Sequence, residues 1–247
     1  MKKAATTLAC AMAVLALAGC KKGETSDNTP VKLEQIKPPP GGDWTQVVSQ
    51  TQAGGFVMGN PNAKVKLVEF GSMTCPHCKA FDDEGVPTLV DKYVKSGQVS
   101  WEFRNYVRDA FDVAASLTVR CNGAQGFFPL MRAMYNDQQN WEKYIQATPQ
   151  DQLNSMQNLP PNQQFGALAK LAHFQEWASA RGISQAKIDQ CLADENSINQ
   201  LVQMASDATT QFPAFQGTPT FVINGTMVEN VASWDKLEPA LKKAVGG

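Results

Sequence analysis

One junction constrains this chain more than any other feature of its sequence. The run Val65-Lys66-Leu67-Val68-Glu69-Phe70 starts with the apolar and polar alternation of a strand, and shortly after it Cys75-Pro76-His77-Cys78 opens a helical pattern. That pattern carries Phe81, Leu89, Val90, Tyr93 and Val94 as its apolar set and stops at Gly97, with a kink predicted at Pro87. Val99, Trp101 and Phe103 then alternate with Ser100, Glu102 and Arg104, the clearest period-two signal in the chain. Strand, helix and strand in that order must lay the helix on a sheet. The two cysteines therefore sit where a strand hands over to the first turn of a helix.

Residues 108–212 carry no convincing strand. Ser184 precedes a helix with Ile188, Cys191 and Leu192 on one face, and Ser197 precedes another with Ile198, Leu201, Val202 and Ala205. Gly182 is predicted to end a helix that begins near Phe165. Strand signals return in Thr220-Phe221-Val222-Ile223, followed by the hairpin dipeptide Asn224-Gly225 and by Thr226-Met227-Val228. A last helix places Trp234, Leu237, Leu241 and Val245 together. Weak strand signals at Val47-Val48 and Phe56-Val57-Met58 precede the junction. The expected architecture is α/β, a central mixed sheet flanked by helices, formed by residues 44–107 and 213–247 and interrupted by an all-helical insertion over 108–212.

The N-terminus reads as a processing signal. Lys2 and Lys3 form a basic region, Ala4 to Ala18 an apolar one too short to span a bilayer comfortably, and Leu17-Ala18-Gly19-Cys20 resembles the bacterial lipobox. Residues 1–19 would leave, and Cys20 would carry acyl chains that hold the protein to a membrane. An ordinary secretory cut with Cys20 incidental is the alternative. Residues 20–43 are polar and end in Lys37-Pro38-Pro39-Pro40-Gly41-Gly42, the composition of a tether of about 25 Å reach. The exported part has a net charge near −3 and no clustered basic surface, which argues against a nucleic-acid partner. With Cys10 lost and Cys20 modified, four of the six cysteines remain, and an even number in an exported protein suggests disulfides.

A Cys-x-x-Cys pair opening a helix has a direct chemical use. Free N–H groups and the helix dipole favour an anion there, so Cys75 is the expected nucleophile, ionising more readily than a free cysteine. Pro76 costs the helix no donor, His77 adds a dipole or positive charge that lowers the Cys75 pKa further, and Cys78, one turn in, is the resolving thiol. A stabilised thiolate makes the reduced form stable and the disulfide an oxidant. A structural zinc site would need two more ligands from Cys121, Cys191, His77 and His173, and His77 is awkwardly placed between the thiols, so no metal is expected. A structural crosslink is the other alternative, weak because so short a loop constrains little chain. Thr218-Pro219 leads into the returning strand; a cis peptide there, beside the cysteines, would expose the Thr218 backbone for β pairing with a substrate segment.

Together, Glu69-Phe70, Cys75-Pro76-His77-Cys78 and Gly217-Thr218-Pro219-Thr220-Phe221-Val222-Ile223-Asn224-Gly225 resemble the DsbA family of thioredoxin-like proteins, from roughly Gly59 to the C-terminus. The resemblance implies a thioredoxin-like fold with thiol-disulfide exchange through Cys75 and Cys78, a cis Pro219, and no cofactor. It implies that Glu69 is a buried acid that helps move the proton of the resolving thiol, although a solvent-facing strand position fits the pattern as well. Some bacterial relatives have a second disulfide where Cys121 and Cys191 lie, the alternative being two buried free thiols. Implied partners are thiols of exported proteins and a membrane redox protein that resets the pair, in a bacterial periplasm. Lys21 after Cys20 points, by analogy, to the outer membrane. Thr218 departs from the best-known oxidases, which carry Val there, and leaves a reductase or isomerase as the alternative. A non-enzymatic envelope lipoprotein using the fold as a binding module is a further one. His173, Trp141, Trp177 and Trp234 read as structural, and Asp82-Asp83-Glu84 as a solvated helix face, with Asp82 matching an acidic position in some relatives.

Overall fold

The computed structural model describes residues 33–39 and 42–246. The expected leader 1–19 and Cys20 lie outside the described residues. Six strands form one mixed sheet: β1 (Val48–Gln50), β2 (Phe56–Gly59), β3 (Val65–Gly71), β4 (Val99–Asn105), β5 (Thr220–Ile223) and β6 (Thr226–Val228), in the spatial order β1-β2-β4-β3-β5-β6. Only β3 and β4 are parallel, as a strand-helix-strand unit requires, and β5 pairs antiparallel with β3 on its other side. This makes β3 central. Its Glu69 lies opposite Phe103 on β4 and Phe221 on β5.

The crossover helix starts as α1 (Pro76–Glu84), continues through the single turn α2 (Val86–Thr88) and ends in a π-helical turn, Leu89–Val94. The break falls at Gly85, two residues before the kink expected at Pro87. Pro87 has no N–H for the Asp83 carbonyl, and a side chain at Gly85 would meet the Phe81 and Trp234 rings at about 2.9 Å. Phe81 packs on Phe221 at 4.6 Å and so fastens α1 to the sheet. The helical insertion comprises α3 (Ala110–Arg120), α4 (Gly123–Asn136), α5 (Gln138–Gln146), α6 (Gln150–Gln157), α7 (Pro161–Leu171), α8 (Phe174–Ser179), α9 (Gln185–Ala193) and α10 (Glu195–Gln211). Most of its buried side chains, among them Phe127, Met131, Leu168 and Ile188, join the core that α1 makes with the sheet. The opposite sheet face is covered by Ala208 of α10 on Phe70 and Val222, with Phe212 and Phe215 beside them. The last helix, α11 (Trp234–Gly246), buries Leu237, Leu241 and Val245.

Three expectations need correction. The single helix from Phe165 to Gly182 is two, because His173 adopts the left-handed conformation (φ 59°) between α7 and α8, its ring against Tyr144 at 4.2 Å. His173 is thus a helix-breaking residue and not one on a helix. Residues 33–39 do not hang free: Ile36 N–H donates to Ser96 O (2.8 Å), Gln98 Nε2 to Glu34 O (2.7 Å) and Trp44 Nε1 to Ile36 O (2.9 Å). Gly97, at φ 80°, leaves the space that Ile36 and Trp44 occupy. Asp82, placed on a solvated face by its acidic neighbours, is only 2 % exposed.

Cys121, at the end of α3, and Cys191 in α9 form a disulfide across a sequence separation of 70 residues. Closing a loop of that length restricts the unfolded chain, so replacing both cysteines by Ala is expected to cost about 2–4 kcal/mol, read as a lower guanidinium midpoint. An unchanged midpoint would show that the helices hold their arrangement without the bond.

Candidate active site

The loop Ser72-Met73-Thr74, between β3 and Cys75, is held by the helical insertion. Asp112 in α3 is fully buried and accepts hydrogen bonds from Met73 N–H (2.8 Å), Arg108 N–H (3.0 Å) and the Ser72 hydroxyl. Burial raises its pKa to about 6 against those bonds. Arg108 Nε donates to Ser72 Oγ (2.9 Å) and its Nη2 to Thr74 Oγ1 (2.8 Å). The Tyr135 hydroxyl donates to Ser72 O (3.1 Å), and Gln138 Nε2 to Met73 O (2.8 Å) and Cys75 O (3.3 Å). Sequence reasoning singled out none of these four. The one available signal was Asp112 itself, an acid among Ala110, Phe111, Val113, Ala114 and Ala115 in the helix that Asp109 caps.

Cys75 is the N-cap of α1 with Pro76 at its first turn, so the N–H groups of His77 and Cys78 are unpaired within the helix and point at the Cys75 sulfur. The pair is a dithiol, and both residues are buried. Cys75 falls from the ordinary thiol value of 9.0 to about 5: the Cys78 thiol donating to its sulfur contributes most, burial opposes, and the Thr218 hydroxyl and the backbone N–H groups of Cys78 and His77 add to the lowering. His77 therefore acts through its backbone, whereas a charge on its ring was expected; the imidazole is turned out to solvent. Cys78 is pushed well above 9.0, first by burial and then by the Cys75 and Glu69 charges. One sulfur is readied as an anion and the other kept as an acid.

Glu69, directly beneath in β3, is 1 % exposed and accepts one hydrogen bond from Trp101 Nε1 at 3.1 Å. Burial, then the Asp82 charge, drives its carboxyl well above the usual range, so it carries a proton where an exposed glutamate would not. The peptide Thr218-Pro219 is cis and faces the pair, with Cys75 Sγ 3.2 Å from Thr218 O. Thr218 Oγ1 is buried and has no hydrogen-bond partner among the described residues. A cavity of about 220 Å³ runs along Gly217 to Thr220 and beneath Val228 to Ala232. Among the described residues no group of three or more His, Cys, Asp or Glu side chains could hold a metal ion, and no helix is long and apolar enough to cross a membrane.

Comparison with known proteins adds three likenesses and a family. The family model described as Thioredoxin matches residues 51–243. The solved protein-disulfide isomerase of Novosphingobium aromaticivorans is 31 % identical with a TM-score of 0.74, the match covering 77 % of this chain and 97 % of that one. Wolbachia pipientis alpha-DsbA1 shares the fold at a TM-score of 0.63 and 21 % identity, over 80 % and 94 % of the two chains. Disulfide bond formation protein D of Bacillus subtilis is 25 % identical over 195 residues, the match covering 77 % of this chain and 77 % of that one.

The difference between the two sulfurs sets a pH dependence. The stability that ionised Cys75 gives the reduced fold is present in full above the ordinary thiol value of 9.0 and is lost as pH falls through about 5. Alkylation of the reduced protein is expected to modify Cys75 with a rate midpoint near pH 5, moving upward in Cys78→Ala, which removes the largest lowering contribution. A parent midpoint near that of free cysteine would contradict this geometry.

Proposed function

The chain belongs to the thioredoxin family as a DsbA-like thiol-disulfide oxidoreductase, and from that premise we propose that it oxidises dithiols of exported proteins in a bacterial periplasm. The observation that carries the direction is the asymmetry of the pair, Cys75 near 5 and Cys78 well above 9.0. A dithiol in which one sulfur is comfortable as an anion resists reoxidation, so its disulfide is a strong oxidant. A substrate thiolate attacks Cys75 Sγ, the Cys75–Cys78 bond breaks, and Cys78 leaves with the bond's electron pair and takes a proton from Glu69. The substrate's second thiolate then attacks its own sulfur in the mixed disulfide and expels Cys75 as a thiolate. Two electrons have passed from substrate to the pair, and a membrane redox partner takes them on. Gly217 and Thr218 offer backbone to the substrate segment while Cys75 is engaged.

Cys20 carries the lipid, and residues 34–36 meet the body beside Ser96 and Gln98 at the start of β4. Cys75 follows the end of β3, which runs parallel to β4, so residues 34–36 and the Cys75 sulfur lie at opposite ends of the sheet. The pair would face the periplasm, away from the bilayer that holds it.

A second reading is that the protein is kept reduced and acts as a reductase or isomerase. Thr218 ahead of Pro219 supports it, as does the 31 % identity to a protein named a disulfide isomerase. Trapping the thiols in growing cells with an alkylating reagent separates the two. Mostly oxidised Cys75 and Cys78 are expected; a mostly reduced pair would reject the oxidase and leave the second reading.

A further inference from the structure

Cys75 is only 2 % exposed, so a substrate sulfur that reaches it must pass along the groups that border it. One of these is Thr218, whose carbonyl oxygen lies 3.2 Å from the Cys75 sulfur. Thr218 and Pro219 also line the cavity of about 220 Å³ that extends to Ala232. A substrate strand that pairs with the Thr218 backbone therefore places a neighbour of its own cysteine in this cavity.

The lining is divided in character. Pro219, Val228, Val231 and Ala232 give it apolar walls, and Glu229 is the one ionisable residue among those that line it. Glu229 follows the end of β6, in a turn where the next residue, Asn230, takes φ 58°. It is exposed, and among the described residues no cation pairs with it. Apolar walls with an acid at the open side fit a long aliphatic stem that ends in a cation, since lysine and arginine bury their carbon while the charge stays in water. An acidic neighbour meets the opposite: its charge faces Glu229, and no cation in the lining offsets the repulsion.

We propose that Glu229 sets the substrate preference of the exchange, favouring cysteines flanked by Lys or Arg over cysteines flanked by Asp or Glu. The inference rests on the thiol exchange and the strand pairing read above, and adds the class of segment on which they act. The chemical step is unchanged: the substrate thiolate bonds to Cys75 Sγ, the Cys75–Cys78 bond breaks, and Cys78 leaves with its electron pair. Glu229 neither gives nor takes a proton; it attracts the cation beside the attacking sulfur. Because Glu229 is exposed, the attraction is that of a surface pair, a preference of a few fold that salt weakens.

The test uses oxidised full-length protein and two-cysteine peptides that differ only at the residues flanking the first cysteine, Arg in one and Glu in the other. Reduction of the Cys75–Cys78 bond is followed by acid quench and alkylation. A basic flank also favours its own thiolate, so each rate is divided by the same peptide's rate with the uncharged bis(2-hydroxyethyl) disulfide. The corrected rate is expected to be about fivefold higher for the Arg peptide at low salt, and to approach equality at about 1 M salt. Glu229→Gln is expected to bring the two rates together, and Glu229→Lys to make the Glu peptide the faster. Each ratio is taken within one variant, so a general loss of activity cancels. Equal corrected rates in the parent, or a parental ratio in Glu229→Lys, overturn the proposal. Failure of both peptides to reduce the pair removes the underlying exchange and the preference with it, whereas reduction without discrimination removes the preference alone.

Discussion

The pairing of a Cys75 sulfur readied as an anion with a Cys78 thiol kept protonated is the constraint around which the rest is arranged. It works only if one sulfur is ionised and the other is not, and the two environments enforce that division. Cys75 caps α1 and receives two backbone N–H groups; Cys78, one turn deeper, receives the core. The helix supplies donors to the first position because its opening turn has no internal acceptors for them. Burial denies charge to the second. A carboxyl under the pair, kept protonated by the same burial, can then serve the thiol that must lose and regain its proton.

Holding a sulfur anion in place requires a fixed loop ahead of it, and that is the contribution of the insertion. Asp112, Arg108, Tyr135 and Gln138 grip Ser72 to Cys75 through hydrogen bonds to backbone and hydroxyl groups. The strand-rich part brings the helix terminus and the cis prolyl peptide together, and the insertion locks the approach to them. The disulfide between Cys121 and Cys191 ties α3, which carries Asp112, to α9. Rigidity of the site and stability of the insertion are therefore linked through one helix.

Much of this was legible in residue order. The alternation in Val65–Phe70 and Val99–Phe103, the helical run between them and the Asn224-Gly225 hairpin fixed the element types, and Cys75, Cys78 and Thr218-Pro219 lie together as the motif order implied. The missing pieces share a cause: periodicity reports which side of an element is apolar but not which polar groups have partners. Asp82 looked solvated beside Asp83 and Glu84, yet the same helix turn faces Arg132 fifty residues on. Asp112 was hidden because its partners are backbone groups of another segment. Ile36 looked isolated in a polar stretch, and its site exists only because Gly97 lacks a side chain. Glu69 fitted either face of a strand until α1 and the helical insertion covered the face it shares with Trp101.

The central claim is energetic, that stabilising the Cys75 anion makes the reduced pair stable and the disulfide oxidising. It is tested most directly by the reduction potential of the Cys75–Cys78 couple, measured by equilibration with glutathione. A potential well above the roughly −270 mV of thioredoxin, toward about −120 mV, is expected. A value at or below about −270 mV would contradict it, since an anion at Cys75 would then confer no oxidising power.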